Sequence, residues 1–205
     1  MNVDLFPTTV HVSNNFISSD DREVMIEKLR KKSACNYEAL HGEAVSSFNF
    51  PEDIVGHLGL TKLIQKKLDE YCVALKIGNL SILNSWFNVQ SPGSRLTLHR
   101  HSGSMVSGAL FLKVDEKSSP LIFEDPRDLA TYNFQGYPFE KFYPEPGDLV
   151  LFPSWLKHGS EEYINQSDER IVVSFNTELI MKNDEDIRNM HFGLPPSYAS
   201  PSLNK

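Results

Sequence analysis

Hydrophobic positions along the chain follow two different periods, and the change falls near residue 80. Before it, apolar residues recur at helical spacing. Val24, Met25 and Leu29, with the stem of Lys28, form the packed stripe of a first helix, and Ser18-Ser19-Asp20-Asp21 supplies its capping side chains. This helix is expected to run to about Lys32. A second, over about 59–76, carries Leu60, Leu63, Ile64, Leu68, Tyr71, Cys72 and Leu75, and Gly78-Asn79 is expected to stop it. Residues 8–13 look like a strand. Residues 33–57 are polar and irregular, with Phe48, Phe50 and Pro51 as anchors.

After residue 80 the apolar residues come in short runs rich in Val, Ile, Phe and Leu, separated by Pro, Gly, Asp and Ser. Strands are predicted over 80–90, 95–101, 105–114, 120–124, 148–152, 159–164 and 171–180. Many short strands after two helices suggest a barrel or sandwich with the helices packed on one sheet. The tail, 181–205, is polar and contains Pro195, Pro196 and Pro201; it is expected to wrap the surface or be partly disordered. No internal repeat or second domain is evident. The expected organisation is a single domain over 1–205, with helical support at about 14–78, a barrel core at about 80–180 and the tail.

Composition narrows the function. The chain has 205 residues, 40% hydrophobic and 23% charged, with a formal net charge of −7. That balance disfavours nucleic-acid and anionic-membrane partners. The basic run Lys28, Arg30, Lys31 and Lys32 ends a predicted helix, where cations complement the helix dipole. Cys35 and Cys72 have no metal-ligand spacing and imply no disulfide framework, so a reducing cytoplasm is the expected compartment. No signal-peptide pattern and no membrane-length apolar run is present in the sequence. A homodimer is possible, being the commonest soluble assembly.

The chemistry concentrates in Leu98-His99-Arg100-His101, together with His158 and Arg170. On a strand, His99 and His101 share one face and Arg100 points the other way. A lone His-x-His is a weak signal and is often polar surface. Here His158 lies far along the chain, after Pro146-Gly147-Asp148 and an apolar run, next to a second predicted strand. Three neutral imidazoles can hold a divalent first-row metal and leave positions open for oxygen and substrate. Arg170 opens the last strand and could grip a carboxylate in two-pronged fashion, or could pair at the surface with Asp168 or Glu169. His11, His41, His57 and His191 fit a ligand role less well, and there is no Ser-His-Asp or Cys-His arrangement.

Several segments occur in a telling order: Thr97-Leu98-His99-Arg100-His101, Val106 to Leu112, Leu121 to Arg127, Pro146 to His158, and Arg170 to Asn176. The series resembles the 2-oxoglutarate- and Fe(II)-dependent oxygenases common in marine bacteria and their phages, distant relatives of the prolyl hydroxylases. The resemblance covers about residues 80–180. It implies a mainly β fold, a cupin-like double-stranded β-helix or jelly roll, with supporting N-terminal α-helices. It implies Fe(II) held by His99, His101 and His158, and 2-oxoglutarate and O2 as co-substrates. It further implies hydroxylation of a protein side chain or small metabolite, with release of succinate and CO2. The usual carboxylate ligand is replaced by His101; Asp125 or Glu124 is the alternative third ligand. By the same resemblance Arg170 holds the far carboxylate of 2-oxoglutarate. Val172 stands where a serine is common, with Ser174 the nearest hydroxyl. Asn88 matches an Asn-x-Tyr pattern in which Gln90 replaces the Tyr; a turn role would also suit Asn88. Ser107 could reach the pocket or simply pack. Trp86, Phe111, Phe123, Phe152 and Trp155 should fill the core or line the pocket mouth, and residues 126–145 could form a lid or a packed loop. Two alternatives remain open at this point: a cupin-like three-histidine enzyme that does not use 2-oxoglutarate, and a noncatalytic barrel that only binds.

Overall fold

The computed structural model describes residues 7–127 and 138–180. The expected tail therefore lies outside the described residues, as does 128–137 of the expected lid. Among the described residues eleven strands and three helices follow one another as β1 (His11–Ser13), α1 (Ser19–Leu29), β2 (Leu40–His41), β3 (Ala44–Ser46), α2 (Ile54–His57), α3 (Thr61–Leu75), β4 (Leu80–Gln90), β5 (Arg95–Leu96), β6 (Val106–Lys113), β7 (Leu121–Glu124), β8 (Phe139–Phe142), β9 (Leu149–Pro153), β10 (His158–Gly159) and β11 (Arg170–Leu179). A six-stranded sheet in the order β1-β9-β6-β11-β4-β3 faces a three-stranded sheet, β10-β7-β8; β2 and β5 pair separately. All pairings are antiparallel.

Alternation along the long strands creates two cores. On one face of the large sheet, Phe87, Leu110, Leu112, Leu149, Leu151, Ile171, Val173 and Phe175 pack with residues of all three helices. On the other face Ala109, Phe111, Val150, Phe152 and Val172 meet Leu121 and Phe123 of the small sheet, filling the barrel. A period of two makes both faces apolar at once, so these strands are near-continuous hydrophobic runs. Gly108 permits close packing: a Cβ there would lie 2.1 Å from the Phe175 ring on the facing strand.

Ser18 caps α1 as expected, its Oγ accepting from the Asp21 N–H at 3.2 Å. The buried stripe is Met25, Ile26 and Leu29, however, and Val24 and Lys28 are exposed. Val24 and Lys28, four residues apart, share the solvent side, while Ile26 completes the opposite arc. Helix α3 ends at Lys76, which adopts the left-handed conformation (φ 57°), rather than at Gly78; Ile77 N–H closes the end on the Cys72 carbonyl. Leu63 is 51% exposed, off the stripe defined by Ile64, Leu68, Tyr71 and Cys72.

The region expected to be irregular, 33–57, contains β2, β3 and α2, and its deepest anchors are Ile54 and Val55 rather than Phe48, Phe50 and Pro51. Strand β8 lies within the expected lid segment and pairs with β7. The predicted strands over 95–101 and 159–164 shrink to β5, which pairs with β2, and β10, which pairs with β7, because the two segments meet each other only at isolated points. Leu96 N–H donates to the Ser160 hydroxyl, and His99 and His158 form an isolated bridge. No helix among the described residues is long and apolar enough to cross a membrane.

Candidate metal centre and co-substrate pocket

His99 and His158 are brought together by the backbone. The His99 N–H donates to the His158 carbonyl at 2.9 Å, and the His158 N–H returns a bond to the His99 carbonyl at 3.0 Å. Gly159 lets that approach happen, since a Cβ there would sit 2.8 Å from the Leu96 and Thr97 carbonyl oxygens. His101 is anchored by its own N–H to the Ser154 carbonyl. The three rings converge, with centroids 4.5–5.0 Å apart. One ligand atom from each lies within 4.8 Å of the others, and this is the one such His/Cys/Asp/Glu group among the described residues.

Hydrogen bonds fix which nitrogen faces inward. His99 Nδ1 is 2.8 Å from the Thr97 carbonyl oxygen and His158 Nδ1 is 2.8 Å from that of Leu156. Both acceptors lack a proton, so each Nδ1 must donate and each Nε2 keeps a free lone pair. His101 has no such carbonyl. Its Nδ1 meets the Oδ1 of Asn176 and the hydroxyl of Ser107, the latter at 3.0 Å. Ser107 in turn donates to Asn176 Oδ1 at 2.9 Å and contacts the Ser154 hydroxyl at 2.8 Å. Orienting partners of this kind are what a metal-binding imidazole requires. Burial holds all three rings below the usual imidazole range, His101 at about 4, so they are neutral donors at neutral pH. The donor set fits a divalent transition metal.

The alternative carboxylates are engaged elsewhere. Asp125 pairs with Arg127 at 2.5 Å and Glu124 with Lys157 at 2.6 Å. His11 is near Ser13 and His41 near Thr97, apart from the cluster, and His191 lies outside the described residues.

The cluster opens into a cavity of about 400 Å³ that Arg170 also lines. Strand β11 presents Arg170, Val172, Ser174 and Asn176 to this cavity by simple alternation, and β4 presents Trp86 and Asn88 beside them. Arg170 is 5% exposed, and burial lowers its pKa to about 10, leaving it charged. It stacks over Phe111, with its carbon centre 5.4 Å from the ring. No carboxylate pairs with it among the described residues: neighbouring Glu169 is held by Arg30 and Lys113. Arg170 Nε and Asn88 Oδ1 are buried without partners. A buried cation beside unpartnered polar atoms is costly unless an anion enters. The cavity therefore fits a small carboxylate co-substrate.

Of the sequence-predicted site residues, His99, His101, His158, Arg170 and Asn88 line this one cavity. Ser107 is also close but sits behind His101, and it is not among the lining residues. Trp155 is 52% exposed and needs no buried partner, whereas Trp86 closes on His101 at 5.7 Å between centroids. The sequence reading missed Asn176, although its place six residues after Arg170 on the same strand face was available. It also missed Tyr37 beside Phe48, which only the tertiary fold carries to the pocket mouth.

Residues 84–176 match the family model described as "Putative 2OG-Fe(II) oxygenase". Among solved structures, HygX from Streptomyces hygroscopicus with nickel, 2-oxoglutarate and hygromycin B bound superposes with a TM-score of 0.61 at 12% identity, covering 85% of this chain and 84% of that one. A Pseudomonas putida prolyl-4-hydroxylase gives 0.60 at 16% identity, covering 85% and 94%. A Trichoplax adhaerens prolyl hydroxylase in complex with a hypoxia inducible factor peptide fragment gives 0.57 at 12% identity, covering 88% and 86%. At such identities the likeness is one of fold, the double-stranded β-helix. A comparison with curated protein sequences gives no match.

Proposed function

We propose that this chain, whose residues 84–176 match the 2OG-Fe(II) oxygenase family model, is a 2-oxoglutarate-dependent oxygenase that holds Fe(II) with His99, His101 and His158 and seats the far carboxylate of 2-oxoglutarate on Arg170. The observation that carries this reading is the buried guanidinium, without a carboxylate partner among the described residues, in the same cavity as three inward-facing imidazoles. Asn88, with its unpartnered Oδ1, stands beside the co-substrate seat. Ser107 and Asn176 orient His101. Phe152 and Phe111 exclude water from the back of the pocket.

When bound, the iron and co-substrate supply oxidative decarboxylation to succinate and CO2, coupled to hydroxylation of a C–H bond. The chain's own residues supply ligation, aim and dryness. The prime substrate, a protein side chain or a small metabolite, enters between Tyr37, Phe48 and Trp86, whose rings form a run leading to His101. A cupin-like enzyme without 2-oxoglutarate, or a purely binding barrel, would leave the Arg170 charge without a function. Free Cys35 and Cys72 support a reducing, cytoplasmic setting.

The test is succinate release by anaerobically purified protein given Fe(II), O2 and 2-oxoglutarate, beside a His158→Ala variant. Succinate from the wild type alone is the expected result. No succinate, with iron retained and no 2-oxoglutarate binding by titration, would overturn the reading.

A further inference from the structure

Arg170 and Gln90 are direct partners across the β4–β11 ladder, and both are almost wholly buried, at 5% and 1% exposed. Arg170 Nη1 donates to Gln90 Oε1 at 2.5 Å, its one side-chain hydrogen bond among the described residues. Gln90 does not line the cavity, so it acts on the pocket only through the arginine. A buried guanidinium is ordinarily matched by a carboxylate. Here the partner is its neutral amide counterpart.

We propose that Gln90 is a positioning residue that aims the Arg170 guanidinium without cancelling its charge, and thereby sets the preference of the pocket for a dianionic 2-oxo acid. The inference rests on the seating of 2-oxoglutarate by Arg170. An acceptor oxygen is enough to lock a planar guanidinium that is also stacked on Phe111. A carboxylate in the same place would form an ion pair and compete with the incoming co-substrate for the same charge. A packing role explains the amide poorly. Gln90 Nε2 is buried with no partner, a penalty that an apolar side chain of similar size would avoid. What the amide offers in return is the acceptor on Arg170.

The experiment uses the full chain loaded with Ni(II) under anaerobic conditions, so that binding is read without turnover. Calorimetric titrations compare 2-oxoglutarate with 2-oxobutyrate, which has the keto acid end but no far carboxylate. Gln90→Glu is nearly isosteric and gives the buried cation a counter-ion, so folding and nickel binding should persist. Its 2-oxoglutarate affinity should fall at least 100-fold while that for 2-oxobutyrate changes less than threefold. Gln90→Met, which keeps the charge and loses the aim, should weaken 2-oxoglutarate about 10-fold. Wild-type 2-oxoglutarate affinity in Gln90→Glu would overturn the inference. Arg170→Met separates the two levels. If it abolishes 2-oxoglutarate binding while Gln90→Glu does not, only the role of Gln90 fails. If it too binds normally, the seating by Arg170 fails with it.

Discussion

Replacing Asn176 by alanine should weaken the metal site without unfolding the barrel. His99 and His158 draw their orientation from backbone carbonyls that no side-chain substitution removes. His101 depends on side chains, with Asn176 Oδ1 as its closest acceptor and the Ser107 hydroxyl at 3.0 Å as the second. Asn176→Ala strips the first and frees Ser107, which loses its own acceptor, to take over in part. Loss of an orienting partner typically costs 10–100-fold in metal affinity, about 1.4–2.7 kcal/mol. With Ser107 compensating, Asn176→Ala should sit near the lower figure, and Asn176→Ala combined with Ser107→Ala near the upper. Asn176→Asp retains an acceptor and adds charge, so its affinity should equal or exceed that of the wild type. The assay is competition for Zn(II) against a chromophoric chelator, with a thermal melt of each metal-free variant. Unchanged affinity in the double variant, with all melts equal, would refute the reasoning.

Two further outcomes follow from the geometry. Burial keeps His101 at about 4 in the folded chain, below the roughly 6.5 of an unfolded imidazole, so the unfolded state takes up the proton first as pH falls. Stability is therefore full above pH 6.5 and is lost between 6.5 and 4, by about 3 kcal/mol from His101, with His99 and His158 acting in the same direction. Urea unfolding of the metal-free protein at pH 7.5 and 5 measures this, and equal midpoints would contradict it. Gly108→Ala drives a methyl to within 2.1 Å of the Phe175 ring and should cost about 1–3 kcal/mol, read as a lower urea midpoint with an unchanged slope.

Much of the fold was legible because period-two alternation and helical spacing are local properties of the chain. Strand β4 runs over the predicted residues, β11 was displaced by a single residue, and Ser18 caps α1 as its side chain suggested. The short elements in 33–57 and the shrinkage of β5 and β10 were not legible, because they depend on which distant backbone lies alongside. The left-handed Lys76 was hidden for a similar reason: its conformation is set by the closing bonds of the helix end, not by residue type.

The sequence by itself determined the donor chemistry: two histidines one residue apart, a third after a long interval, and an arginine opening the last long strand. Residue type and local spacing are enough for that. Only the tertiary structure decided that His99 and His158 form a backbone bridge, that Ser107 stands behind His101 with Asn176, and that Asp125 and Glu124 are spent on neighbouring cations. It also decided that the partner of Arg170 is a neutral amide from β4. Apart from the local Asp125–Arg127 pair and the six-residue step from His101 to Ser107, these facts are pairings between residues tens of positions apart. Strand register fixes them, and the whole barrel must close before register is defined.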